Sequence, residues 1–166
     1  MFHPAYLKFV ADRFRAWPED PARTFTHAVL GLRTEWDEFL NADSPENEKE
    51  EVGDFLFYCA ALYPLAEITH EWEPTSSEME QADIHDFHRN LEALTDMAKK
   101  WLAYSKQPTP LEIRNHLIPV MTHIAWMEDL RLPSTIEANR AKLARRYPNG
   151  FSTQAAIARA DKEPGQ

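Results

Sequence analysis

Apolar side chains recur every three to four residues along most of this chain, the period that gathers them on one face of an α-helix. Tyr6, Phe9, Val10 and Phe14 predict a first helix over residues 4 to about 17, ended by Pro18 and Pro21. Phe25, Ala28, Val29, Leu32, Trp36 and Phe39 predict a second over 24–42, with no internal proline. Asp43-Ser44-Pro45-Glu46 then reads as a stop and a restart. Ser44 can cap the exposed amides, Pro45 is tolerated in a first turn, and Glu46 suits the positive end of the helix dipole. A third helix is expected to run to about His70, and its stretch 52–62 is apolar nearly all round, as the innermost helix of a bundle requires.

Farther on, 73–78 is polar and reads as a loop. Ile84, Phe87, Leu91, Leu94, Met97, Ala98 and Leu102 predict a fourth helix, closed off before Pro108 and Pro110. A fifth is expected over 111–130, bent or begun late at Pro119, and a sixth over 135–146, stopped by Pro148-Asn149-Gly150. Residues 152–161 carry the pattern of one more short helix. No segment alternates with period two, so no strand is expected. The expected fold class is all-α: a single helical-bundle domain over 1–166, a length that can bury its own core.

Charge narrows the function classes. The chain carries a formal charge of −9, which argues against a broad basic surface for nucleic acid. No apolar run reaches the length of a membrane span, and the N-terminus lacks the basic-then-apolar pattern of a secretory signal, so a soluble cytoplasmic protein is expected. The single cysteine, Cys59, sits in an apolar run and reads as a small buried hydrophobe in a reducing compartment. Arg140, Lys142, Arg145 and Arg146 fall within seven residues, a cluster that fits either a phosphate site or a solvated helix face.

Candidate chemistry lies in the acids flanking the 43–46 break. Glu35 and Glu38 are three residues apart, as are Glu51 and Asp54, so each pair shares one helical face. In an antiparallel hairpin turning at residues 44 and 45, Glu38 with Glu51 and Glu35 with Asp54 are equidistant from the turn. The four carboxylates should therefore converge. Such crowding repels and is relieved by a cation. An all-oxygen set without His or Cys favours Mg²⁺, with Mn²⁺ as a substitute, over zinc. Glu46, Glu48 and Glu50 show that the stretch is acidic in general, and a solvated acidic face is the competing reading.

The segments His27-Ala28-Val29-Leu30-Gly31-Leu32-Arg33-Thr34-Glu35-Trp36-Asp37-Glu38 and Glu50-Glu51-Val52-Gly53-Asp54-Phe55-Leu56-Phe57-Tyr58 together resemble the E-x-x-E … E-x-x-D signature of the MazG-like all-α NTP pyrophosphohydrolases. Asn139-Arg140-Ala141-Lys142-Leu143-Ala144-Arg145-Arg146-Tyr147-Pro148 is similar to that family's C-terminal N-x-x-K-L-x-x-R-Y-P element. Where the family commonly has glycine inside E-x-x-E, this chain has Asp37. The resemblance implies an Mg²⁺-dependent helical bundle that hydrolyses a nucleoside triphosphate to the monophosphate and pyrophosphate. It implies Glu35, Glu38, Glu51 and Asp54 as metal ligands, with Glu35 or Glu38 as general base. It also implies Asn139, Lys142, Arg146 and Tyr147 as phosphate or sugar contacts. Tyr58, one turn beyond Asp54, either packs in the core or touches the nucleotide.

The catalytic hairpin would span about 24–70 and the phosphate-binding element 135–152. Residues 83–131 are expected to form a degenerate second hairpin, with Asn90 and Ala93 in place of the first acid pair and residues near Pro119 and Thr122 in place of the second. Asp83, His85, Asp86 and His88 have some metal-ligand character with His116 or His123, and an amphipathic helix explains them equally well. A homodimer is expected, unless the second hairpin substitutes for a second subunit. Two other classes compete: a catalytically silent interaction module of the same fold, and an acidic protein that binds a basic partner.

Overall fold

The computed structural model describes residues 1–69, 72–128, 131–152, 154 and 157. Among these there are seven α-helices and no strand: α1 (Pro4–Ala11), α2 (Pro21–Leu40), α3 (Pro45–Ala66), α4 (Ser76–Glu80), α5 (Ile84–Tyr104), α6 (Pro110–Glu128) and α7 (Leu132–Arg146). The hairpins α2–α3 and α5–α6 pack on each other, α2 against α5 and α3 against α6. Helix α3 also receives α1 and α7, which makes it the central element and explains why 52–62 is apolar nearly all round. Val52, Phe55, Leu56, Cys59, Ala60 and Leu62 are all buried. No described helix is long and apolar enough to cross a membrane.

Local chemistry sets most boundaries. The Asp20 carboxylate accepts from the Arg23 amide at 3.0 Å and starts α2 at Pro21, a turn earlier than the apolar pattern predicts. Ser44 caps α3 by accepting from the Asn47 amide at 3.2 Å, and Pro45 occupies the first turn. At the other end α3 stops at Ala66, short of the expected His70, which lies outside the described residues. Glu67 takes a left-handed φ of 49°, and Arg114 from α6 donates to the Ala66 and Glu67 carbonyls at 3.1 and 2.7 Å. The carbonyls left without amide partners at the helix end are thus satisfied by tertiary contact.

Four other expectations are corrected. Helix α1 ends at Ala11 rather than near residue 17, and 12–17 forms a loop held by α2. The Trp17 amide donates to Thr24 Oγ1 at 2.8 Å, and that hydroxyl donates back to the Trp17 carbonyl at 3.1 Å. The polar stretch 73–78 is not wholly a loop, because a capping box between Thr75 and Glu78 nucleates α4. Helix α6 begins at Pro110, beside the expected residue 111, and runs through Pro119 rather than beginning late there. Thr109 and Glu112 form the same reciprocal cap, with amide bonds of 2.7 and 3.2 Å, and launch the helix nine residues upstream of that proline. Helix α7 begins at Leu132, so Thr135 lies inside it, where its hydroxyl donates to the buried Glu128 carboxylate at 2.7 Å. Residue Leu130, the expected end of the preceding helix, is outside the described residues, as is most of the short helix expected over 152–161.

Candidate functional site

Helices α2 and α3 bring together a carboxylate oxygen from each of Glu35, Glu38 and Glu51, all within 4.8 Å of one another. Glu51 is buried, Glu35 half-buried and Glu38 exposed, so the cluster grades from the hairpin interior to solvent. The Glu35 carboxyl is pushed up to about 8, first by burial and then by the negative charges of Asp54, Glu38 and Glu51, with Lys142 opposing. Burial, Asp54 and Glu38 raise Glu51 in the same direction. Burial leads in both, and the crowding of negative charge adds to it.

Asp54, the fourth predicted ligand, is engaged differently. Its carboxylate accepts from Asn139 Nδ2 at 2.6 Å and forms a short ion pair with Lys142 Nζ. The same ammonium reaches Glu50 Oε1 at 3.1 Å. Burial alone would lower the Lys142 pKa, but the charges of Asp54 and Glu50 outweigh it and raise the pKa. Asn139 accepts from the buried Tyr6 hydroxyl at 3.2 Å, extending the network to α1. Two residues assigned to substrate by resemblance therefore hold one assigned to metal, with Lys142 acting as a cation supplied by the protein itself.

Close approach of α7 to α3 depends on Gly53. A Cβ there would lie 2.9 Å from Asn139 Cβ, so a larger residue would push away the helix that carries Asn139 and Lys142. Gly31 does the same for α2 and Tyr58, since a Cβ there would meet three atoms of the tyrosine ring at 2.4–2.5 Å.

Tyr58, Arg146 and Tyr147 line a cleft of about 100 Å³ together with Glu35 and Asp54. The rest of its wall comes from Arg13, Phe14, Arg15, His27, Phe57, Leu143 and Phe151, none of which was named as a site residue from the sequence. The run Arg13-Phe14-Arg15-Ala16-Trp17, arginines alternating with aromatics, was the available signal. Assigning it to helix one concealed it. In the structure Phe14 stacks on His27, with centroids 4.8 Å apart and planes 14° apart, and the stack faces Tyr58. Burial lowers the His27 pKa, and its Nδ1 lies 3.1 Å from the Arg15 carbonyl. A carbonyl only accepts, so Nδ1 is the donor and carries the proton.

The histidine cluster of α5 does not assemble. Among the described residues, the Glu35, Glu38 and Glu51 group alone brings three or more His, Cys or acidic donors within metal-binding reach. Asp83 caps α5 by accepting from the His85 amide at 2.8 Å, and Asp86 pairs with Arg89 at 2.7 Å. His116 bonds to Asn90 at 2.8 Å, and His123 is buried between Phe87 and Trp126. Asp83, Asp86, His116 and His123 thus have separate structural roles. Cys59 is fully buried, and burial raises its thiol well above the ordinary range, as befits an inert core residue.

No family model, curated protein or solved structure matches this chain.

Proposed function

We propose that this protein hydrolyses a nucleoside triphosphate to the monophosphate and pyrophosphate, with Mg²⁺ as its cofactor. The observation that carries this reading is a three-carboxylate cluster beside a cleft whose remaining wall is cationic and aromatic. An acidic protein has little reason to gather Glu35, Glu38 and Glu51 and then set Arg13, Arg15 and Arg146 nearby, unless its ligand unites a cation with an anion. A metal–triphosphate complex with an aromatic base has that composition.

The donor set fits the cofactor. All the candidate ligand atoms are carboxylate oxygens, and Glu35 and Glu51 are raised first by burial and then by mutual repulsion, both of which a hard cation offsets. Glu35, Glu38 and Glu51 would hold the ion, joined by Asp54 once Lys142 moves from the carboxylate to a phosphate. Bound there, Mg²⁺ supplies charge neutralisation of the phosphates and an acidified water.

The chain's own groups then have definite tasks. Glu35, the more buried of the two candidate bases, takes a proton from the attacking water. The water oxygen bonds to the α-phosphorus, the bond from that phosphorus to the bridging oxygen breaks, and the electron pair leaves with pyrophosphate. Asn139, Lys142, Arg146 and Tyr147 hold phosphate or sugar, and Tyr58 with Phe14 offers aromatic surface to the base. Ligand pockets usually measure roughly 300–1,000 Å³, so a nucleotide would extend beyond the 100 Å³ cleft and over the carboxylates.

The test is pyrophosphate release from a panel of ribo-, deoxy- and modified nucleoside triphosphates with Mg²⁺, alongside Glu38→Ala. Glu38 is exposed, so its truncation should spare the fold. Metal-dependent release that the substitution abolishes supports the proposal. A folded wild-type protein that turns over nothing in the panel, and whose thermal stability does not respond to Mg²⁺, points instead to a silent interaction module.

A further inference from the structure

Arg13 and Arg15 stand out among the cations of this acidic protein. Both line the cleft, and neither forms an ion pair or hydrogen bond through its guanidinium among the described residues. Aromatic faces support them instead. The Arg13 guanidinium carbon lies 3.9 Å from the Phe9 ring centroid. That of Arg15 lies 4.8 Å from Trp17 and 5.6 Å from Phe151. A guanidinium resting on a ring keeps its in-plane N–H groups available, and those groups match the paired oxygens of a phosphate. Arg13 Nε is buried without a hydrogen-bond partner, an unfavourable condition for a donor unless a ligand accepts from it.

The backbone carrying the two arginines is fixed in advance. Trp17 is tied to Thr24 by two hydrogen bonds, and the Arg15 carbonyl is held by His27. Phe14, between the arginines, stacks on the same histidine. Loop 12–17 therefore presents two unpaired cations on a tethered backbone, in the cleft that Arg146 of α7 also lines.

We propose that Arg13 and Arg15, together with Arg146, form the subsite for the β- and γ-phosphates, and hence for the departing pyrophosphate. The inference rests on the nucleotide reading, because it places the α-phosphorus at the carboxylates. With that phosphate beside Glu35 and Asp54, the outer phosphates need neutralising cations on the far wall, and these arginines supply them. The ligand class is a polyphosphate, recognised without regard to the base.

Inorganic pyrophosphate is the probe. Calorimetric titration without metal into the wild type, Arg13→Gln, Arg15→Gln and the double variant should show affinity falling at least fivefold per substitution. Arg13→Lys/Arg15→Lys should retain part of the binding, and circular dichroism should show all variants folded. Failure of the wild type to bind pyrophosphate, or unchanged affinity in the folded double variant, overturns the assignment. In turnover assays the double variant should raise KM by the same factor for every base. A loss confined to one base would assign the arginines to base reading and overturn the phosphate subsite. Pyrophosphate binding that depends on these arginines in a protein that hydrolyses no nucleotide would sustain the subsite and defeat only the catalytic reading. Robust hydrolysis with arginine-independent pyrophosphate binding would do the reverse.

Discussion

The Lys142 ammonium pairs with the Asp54 carboxylate across the α3–α7 contact, with 10% of the lysine side chain and 20% of the aspartate side chain exposed. Lys142 thus occupies, from within the protein, the carboxylate that the proposed Mg²⁺ would claim as a fourth ligand. Metal binding and release of this pair should be linked.

Lys142→Met removes that internal cation and leaves Asp54 with Asn139 alone. Stability should fall by about 3 kcal/mol, near the low end for breaking a buried pair, because Asp54 keeps some contact with solvent. Mg²⁺ should recover much of that loss and stabilise the variant more than the wild type. Urea unfolding with and without Mg²⁺ measures both effects, and equal Mg²⁺ stabilisation of the two proteins would sever the linkage.

Glu35 gives a pH prediction of definite sign. Its folded pKa, about 8, lies above the ordinary value of 4.5, so between these limits the native state binds more protons than the unfolded chain. The metal-free protein should therefore lose stability from this group as pH rises from about 4.5 to 8. Glu35→Gln should flatten much of that decline and make the protein more stable than the wild type at pH 8, with Glu51 leaving a smaller residual slope. Denaturation midpoints across the range decide the matter; parallel curves for the two proteins would contradict it.

Gly31 and Tyr58 allow a test by reversal of sign. Gly31→Ala gains about 1 kcal/mol of helix propensity but drives a methyl into the tyrosine ring, an overpacking cost of about 1–3 kcal/mol. The clash should win, with a net loss and a displaced Tyr58 visible in the near-ultraviolet circular dichroism. In a Tyr58→Ala background the obstacle is gone, and the same alanine should stabilise. Destabilisation in both backgrounds would mean that the ring is not the cause.

Much of the architecture was legible because local rules dominate it. The period of Phe25 to Phe39 identified the buried face of α2, and Ser44-Pro45 located the turn into α3 by capping chemistry alone. Equidistance from that turn brought Glu38 opposite Glu51. The overlooked helix α4 and the start of α6 at the expected place were also local, since Thr75 with Glu78 and Thr109 with Glu112 are capping boxes written in the sequence. The premature end of α1 was not. Residues 12–17 leave the helical path for contacts with Thr24 and His27 on another helix, and no pattern within the segment records those partners.

The sequence by itself determined the all-α class, the hairpin that carries the acids and the common face of each acid pair, because helical period and turn position are short-range properties. Tertiary structure alone decided that Asp54, expected with the other three acids, pairs with Lys142, a residue 88 positions away. It also decided that Arg13 and Arg15 from one loop share a cleft with Arg146 from α7. The physical reason is range: hydrogen bonds within a turn are written in neighbouring residues, whereas the balance of charge in a cleft depends on which distant side chains the packed core carries to its edge.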